Sequence, residues 1–224
     1  MAVMIPDIGP VINDSTSAEP DIYWRLARQL GDEFIVIHSL PWVSTVAREI
    51  DGRAVPTGEL DFLILHPELG ILALEVKGGV IAYHQSVFVF RNGTRIDPVR
   101  QVRRGTHALA GWIYSASSYS LKIGYAIVLP DSDLADKLVP PALVDYTPSG
   151  PQNIVLDKND LREFGRKVTQ LMRYWKIALN NDNLGQDKVE NIKSLICPIA
   201  DYRPKWHSRI AEVSERWLTL TEQQ

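Results

Sequence analysis

The segment over residues 58–79, GELDFLILHPELGILALEVKGG, constrains the fold more than any other part of the chain. Its apolar residues are nearly continuous on both sides of HPELG (66–70), as in strands that are buried on both faces. A tight loop at HPELG would join two such strands into an antiparallel hairpin. The 224 residues of the chain are enough to bury a real core. We therefore predict a globular protein with this hairpin at the centre of its sheet.

Further elements are predicted on both sides of the hairpin. AEPDIYWRLARQL (18–30) predicts a helix, with Pro20 in the first turn and Glu19 on the same face as Tyr23 and Leu26. In chain order, the other predicted elements are strands at 34–40, 80–84, 87–90 and 123–130, a helix opened by Asp97 and Pro98 that runs to about Ser117, an edge strand at 153–156, and helices at 157–179, 186–196 and 205–217.

This order of helix, strands, helix and strand is typical of an α/β protein, with helices on both faces of the sheet. We expect an N-terminal lead over residues 1–17, a main domain over 18–180, and a helical C-terminal extension over 181–224. The start of the sequence has no basic and apolar leader, and no stretch has the length of a membrane span. Because the chain has a single cysteine, Cys197, nothing points to an oxidising compartment, and we expect a cytoplasmic protein.

The predicted hairpin brings charged residues together. With HPELG as the loop, residues whose numbers sum to 136 face each other, so Asp61 lies opposite Glu75. Side chains alternate between the two faces, so Lys77 shares their side of the sheet while Val76 points the other way. Facing carboxylates in a buried sheet repel each other and need a cation. Lys77 supplies one charge, and Mg²⁺ or Mn²⁺ would compensate the pair more completely; the alternative is a purely structural ion-pair cluster.

An Asp on one strand, followed by Glu-x-Lys on the next, resembles the catalytic pattern of the PD-(D/E)xK nuclease superfamily. Within that superfamily, residues 17–160 look most like the nuclease-related domain, NERD. The supporting segments are the helix that begins near Glu19, the strand pair LDFLIL and LALEVKGG, the next hairpin, DPVRQ, YAIVLP and NIVLDKNDL. The sequence departs from the family pattern at Ala18, Leu60 and Phe62, where Gly, Pro and His are the family or superfamily residues. The resemblance implies a restriction-endonuclease-like mixed sheet flanked by helices.

The resemblance also implies a metal site. Asp61 and Glu75 would bind Mg²⁺ or Mn²⁺, together with the Val76 carbonyl and with Glu19, the latter through water or at a second position. For Glu19 there is an alternative role, because an acidic side chain in the first turn of a helix is favoured by the helix dipole alone.

Two more catalytic roles are implied by the resemblance. Lys77 would orient the attacking water or neutralise the charge that develops on the phosphate. Gln101, in the first turn of its helix, would help to place a phosphate near exposed N–H groups. For Gln101 the alternative is an ordinary polar position at the start of a helix.

The segment RNGTRIDPVRQVRR (91–104) is strongly basic in a chain whose formal net charge is −3. It contains five arginines and one aspartate, so its own net charge is +4. We expect a surface that contacts the nucleic-acid backbone; the alternative is a solvated helix face. The arginines concerned are Arg91, Arg95, Arg100, Arg103 and Arg104.

Together these features predict a Mg²⁺- or Mn²⁺-dependent nuclease that hydrolyses DNA. The alternative from another class is an inactive nucleic-acid-binding or assembly module that keeps the fold and directs a helicase or another partner. The last residues, WLTLTEQQ (217–224), resemble the glutamine-containing adenine-binding motif of superfamily 1 helicases. We therefore expect the nuclease part of a longer nuclease–helicase, although an ordinary polar tail would also explain these residues.

Overall fold

The structure is a computed structural model, and it describes residues 1–10, 18–40, 60–85, 87–135, 137–147 and 150–198. The strands are β1 (Val3–Ile5), β2 (Ile35–Leu40), β3 (Leu60–His66), β4 (Gly70–Val76), β5 (Ile81–His84), β6 (Val87–Phe90), β7 (Arg95–Ile96), β8 (Gly124–Leu129), β9 (Val144–Thr147), β10 (Gly150–Asn153) and β11 (Val155–Asp157). The helices are α1 (Ala18–Gln29), α2 (Pro98–Ser117), α3 (Phe164–Ala178) and α4 (Gln186–Ile196), with short 3-10 helices at Pro141–Leu143 and Asp160–Glu163.

The main sheet of the described residues has the strand order β1-β2-β3-β4-β8-β11. Strands β2, β3 and β4 are antiparallel neighbours, whereas β8 pairs in parallel with both β4 and β11. The parallel step from β4 to β8 requires a crossover, and α2 provides it. The prediction of a mixed sheet in an α/β protein is therefore confirmed.

The central hairpin has the predicted register. Phe62 pairs with Leu74 and His66 pairs with Gly70, so the loop contains the three residues between β3 and β4. Every residue of β4 is buried, as the continuous apolar run predicts for a strand covered on both faces.

Helices cover the two faces of the sheet in pairs, as predicted. On one face, α1 and α3 pack through Ile22, Leu26, Val168 and Met172 against Phe62, Ile64, Leu72 and Leu74. On the other face, α2 and α4 pack through Val102, Leu109, Val189 and Ile192 against Leu63, Leu65, Ala73 and Ile127. Because side chains alternate along β3 and β4, the odd-numbered strand residues from Leu63 to Ala73 belong to the face that α2 covers, and Leu60 at the start of β3 packs on that face as well.

Helix α2 begins as the sequence predicts. The carboxylate of Asp97 accepts a hydrogen bond from the Arg100 N–H at 3.0 Å, and Pro98 occupies the first helical position, where an N–H would have no partner within the helix. Val102, Thr106, Leu109 and Ile113 recur at helical spacing and are all buried, so they form the inner face of α2.

The predicted helix at 157–179 is wrong at its start. Asp157 ends β11, the 3-10 helix follows, and α3 begins only at Phe164. The cause is local, because the Asp157 carboxylate accepts the N–H groups of Asn159 and Asp160 and holds the backbone in a turn. The sequence also did not predict the β9–β10 hairpin, which lies in the proline-containing stretch before β11.

The C-terminal extension is described only in part. Helix α4 confirms the helix predicted at 186–196, and it buries Val189, Ile192 and Ile196 in the core beneath α2. The helix predicted at 205–217 and the WLTLTEQQ segment lie outside the described residues. No described helix combines the length and the apolar character that crossing a membrane requires.

Candidate active site

Three charged residues meet where β4 ends. Glu75 has no exposed surface, and the register that pairs Phe62 with Leu74 puts Asp61 beside it on β3. The Lys77 ammonium lies 2.5 Å from Glu75 Oε1, and the Lys77 side chain keeps 20% of its surface exposed. The structure therefore brings together the carboxylates and the lysine that the sequence predicts as one group.

Backbone contacts fix these side chains relative to one another. Asp61 Oδ2 accepts a hydrogen bond from the Val76 N–H at 2.6 Å, which holds the carboxylate against β4. The Lys77 N–H donates to the Val128 carbonyl at 2.9 Å and continues the pairing of β4 with β8. The site is thus built on rigid sheet backbone.

The electrostatics of the group favour an uncharged Glu75. Burial, with a further contribution from Asp61, raises the pKa of Glu75 to about 8, although Lys77 acts in the opposite direction. Burial alone would lower the pKa of Lys77, but the negative charges of Glu75 and then Asp61 outweigh it and raise that pKa. Without a further cation, the site therefore holds a protonated or strongly destabilised carboxyl beside a charged lysine.

Glu75 also lacks the hydrogen bonds that a buried carboxylate requires. Among the described residues, Oε2 has no hydrogen-bond partner, and Oε1 has the close ion pair with Lys77. An unsatisfied buried charge costs several kcal/mol in general, and a coordinated cation removes that cost.

The donor set suits a hard divalent ion that keeps some of its water. No three His, Cys, Asp or Glu side chains in the described part of the chain form a metal-binding group. Mg²⁺ is commonly held by one or two carboxylates and several waters, without a complete protein cage. The orphaned Glu75 oxygen and the adjacent Asp61 carboxylate fit such an ion, with the Val76 carbonyl as a further oxygen donor on the same strand end.

Helix α1 brings a fourth charge to this end of the sheet. A Cβ on Gly78 would lie 2.8 Å from the Ala18 Cβ, so glycine is needed where the start of α1 meets the chain after β4. Glu19 follows Ala18, and its charge contributes to raising the pKa values of both Glu75 and Lys77. The structure therefore places Glu19 near the predicted group of Asp61, Glu75 and Lys77.

Gln101 lies on α2, which covers the opposite face of the sheet from α1. It is half-buried in the first turn of α2, where its N–H donates to the Asp97 carbonyl at 3.0 Å. One turn later, a Cβ on Gly105 would lie 2.8 Å from Leu60 Cδ2, so α2 approaches closely the residue next to Asp61. Gln101 thus shares the flank of α2 that faces the start of β3.

The structure divides the predicted basic segment into two sets. Arg91 and Arg95 are exposed in the turn after β6 and in β7. Arg100, Arg103 and Arg104 line a groove along α2 and lie together.

Sequence reasoning missed two residues near the ends of the central strands. The Asp131 carboxylate accepts the Gly79 N–H at 2.6 Å and ties the chain that follows Lys77 to the loop after β8. A polar residue directly after the buried run YAIVLP was the available signal. The second is His66, which is only 8% exposed, and its Nδ1 accepts the N–H groups of Glu68 and Leu69 in the hairpin turn.

Comparison with protein families agrees with this geometry. Residues 15–130, just over half of the chain, match the family model of the nuclease-related domain, NERD. The chain belongs to the nuclease-related domain family. The matched part of the nuclease-related domain contains every predicted site residue, from Glu19 to Arg104. Searches of curated proteins and of solved structures find no significant match.

Proposed function

We propose that this chain is a Mg²⁺- or Mn²⁺-dependent nuclease that hydrolyses phosphodiester bonds of DNA. The observation that carries the proposal is the fully buried Glu75 carboxylate beside Asp61 and Lys77, with an oxygen that has no hydrogen-bond partner among the residues that the structure describes. Membership of the nuclease-related domain family supports the reaction class. A cytoplasmic location is part of the proposal, and fractionation of cells that produce the chain would test it.

Metal binding in this proposal falls to the strand ends. Asp61 and Glu75 hold the ion, the Val76 carbonyl adds an oxygen, and Glu19 acts through water or at a second position. A divalent ion bound there supplies Lewis acidity and lowers the pKa of a coordinated water. Since Glu75 must lose its proton to bind the ion, metal affinity rises with pH through the raised pKa of this carboxyl.

In this proposal the ammonium of Lys77 acts on the phosphate. Lys77 is anchored by its backbone to β8 and paired to Glu75, but a fifth of its side chain remains accessible to a substrate. Its ammonium orients the attacking water or stabilises the charge that develops on the phosphate oxygens. Gln101 helps to place a phosphate at the start of α2 through its side-chain amide, since the N–H groups of Arg100 and Gln101 already donate to Asp97.

A binding module without catalysis is the second candidate. The observation in its favour is that the described residues include no three-ligand group of His, Cys, Asp and Glu side chains. The departures from the family pattern at Ala18, Leu60 and Phe62 point in the same direction. Under this second candidate function, the chain keeps the nuclease fold to bind nucleic acid and to direct a helicase or another partner.

Metal-dependent cleavage of plasmid and single-stranded DNA decides between the two. We expect nicking with Mg²⁺ or Mn²⁺, loss of nicking in Asp61→Ala and Lys77→Ala, and full activity in the control variants Glu190→Ala and Lys193→Ala, whose ion pair lies on α4. Binding without cleavage by the wild type under either metal would establish the module. Equal cleavage by the two site variants would show that the site is wrong.

We also propose that the nuclease works beside a helicase motor in a longer chain. The support is the resemblance of residues 217–224 to the helicase adenine-binding motif. A chain that continues past this motif should hydrolyse ATP when DNA is added. An extended chain without such ATPase activity would contradict the proposal.

A further inference from the structure

A groove runs along the outer flank of α2, and we call it the arginine groove. Its volume is about 670 Å³. One wall carries Arg100, Arg103, Arg104 and His107 of α2, and the other carries Pro141 and Asp145 from the segment before β10. Phe88 and Tyr125 also line the groove, so the cavity combines basic walls with aromatic surface.

The arginine groove lies on the opposite flank of α2 from Gln101. With Val102 and Leu109 pointing into the core, a helical period of 3.6 residues puts Gln101 and Arg103 on different sides of the inner face. The Gln101 flank includes Gly105 and faces Leu60 on β3, whereas Arg103 shares the groove with Tyr125 of β8. The groove is therefore a feature separate from the group at the end of β4.

The charge of the arginine groove suits an anion with repeated charges. Its lining carries three arginines against two acidic residues, Asp97 and Asp145, which accept hydrogen bonds from the Arg100 N–H and the Tyr174 hydroxyl. Along α2, Arg100 and Arg104 are separated by about 6 Å of helix rise. Cations at such a spacing along one wall match a flexible chain of phosphates better than a single compact anion.

The size of the groove excludes a duplex from its interior. Its volume falls within the range of pockets that enclose small molecules, so it has room for a few unpaired nucleotides and none for a stacked double helix. Unpaired bases also have exposed faces that stack on aromatic rings such as that of Tyr125. We propose that the arginine groove holds an unpaired stretch of nucleic acid, which makes single-stranded nucleic acid the preferred ligand of this domain.

The choice of nucleic acid as the ligand rests on the proposed function, but the test does not need cleavage. Binding of a short labelled oligothymidylate to the whole chain is followed by fluorescence anisotropy in EDTA. The same measurement is made with a labelled duplex and with unlabelled thymidine monophosphate as competitor. The groove variant is Arg100→Gln/Arg103→Gln, and the charge-matched control is Arg162→Gln/Arg173→Gln, two exposed arginines near and on α3 across the sheet.

We expect the groove variant to lose about tenfold in affinity for the single strand and the control to lose less than about twofold. The duplex should bind more weakly than the single strand, and the mononucleotide should compete poorly. Equal losses in the two variants, tighter binding of the duplex, or strong competition by the mononucleotide would each overturn the inference. A wild-type chain that binds the single strand through the groove and never cleaves DNA with Mg²⁺ or Mn²⁺ would refute the nuclease proposal alone.

Discussion

Two buried carboxylates stand near the ends of the two strands that flank β8, and they differ in their surroundings. Asp157, at the end of β11, is 7% exposed, and its carboxylate accepts the N–H groups of Leu134 at 2.7 Å and Asn159 at 2.9 Å. Glu75, near the end of β4, is fully buried, and within the described part of the chain its carboxylate has only the ion pair with Lys77.

The difference teaches that burial alone does not identify a functional acid. Hydrogen bonds to a carboxylate stabilise its charged form, whereas burial without them stabilises the neutral form. Asp133, in the cluster around Asp157, shows the first case, because hydrogen bonds from Lys158, Asn159 and the Ala135 N–H lower its pKa to about 2. Glu75 shows the second case, and this is the arrangement that a metal ion would complete.

The largest effect should come from the cation of the unsatisfied group. We expect Lys77→Ala to reduce DNA cleavage by about 10²–10³-fold, because it removes a charge that stabilises the transition state. Lys158→Ala, which removes the partner of Asp133, is the control and should leave cleavage unchanged. If single-turnover assays showed the same loss of cleavage rate in both variants, the clusters around Glu75 and Asp157 would not differ in function.

The satisfied carboxylate should matter for stability. Asp157→Ala leaves the N–H groups of Leu134 and Asn159 without their acceptor, so we expect a loss of about 3 kcal/mol in the free energy of unfolding. Asp157→Asn keeps one acceptor oxygen and should lose less. Urea unfolding measures both variants, and a wild-type midpoint for Asp157→Ala would show that the turn does not depend on its carboxylate.

Glu75→Gln should change the free energy of unfolding in the opposite direction, and the size of the change should depend on pH. The folded pKa of Glu75, about 8, lies above its unfolded value near 4.5, so its favourable contribution is complete below about pH 4.5 and is lost as pH rises through 8. In EDTA, Glu75→Gln should therefore be similar in stability to the wild type at pH 5 and more stable by about 4 kcal/mol at pH 9. Melting temperatures across this range test the sign, and parallel curves would contradict it.

The smallest effect should come from Gln101. A single neutral hydrogen bond to a phosphate contributes less than a full charge, so Gln101→Ala should reduce cleavage by about tenfold or less. Cleavage rates measured beside those of Lys77→Ala give the comparison directly. A loss as large as that of the lysine variant would mean that the roles of these side chains are assigned wrongly.

The sequence predicts the part of the site that depends on short-range periodicity. Asp61 and Glu75 face each other because a tight loop and a period of two determine the register, and both can be read from residues 58–79. The face of α2 is predictable for the same reason, since the spacing of its apolar residues is that of a helix.

The rest depends on contacts between distant segments. The start of α3 is set by Asp157, which also binds the Leu134 N–H, and no local pattern shows that contact. The arginine groove needs a wall from residues 141–145 beside α2, so the sequence yields its charges and not its shape.

The connectivity of the main sheet separates the assembly of the site into two stages. The carboxylate pair needs only the β3–β4 hairpin, whose loop has three residues and closes at little entropic cost. The backbone of Lys77 is held by Val128 of β8, which the chain reaches only after α2 has crossed the sheet. Mutual repulsion of Asp61 and Glu75 is thus a property of a local, early-forming unit, whereas the position of the lysine is a product of long-range order.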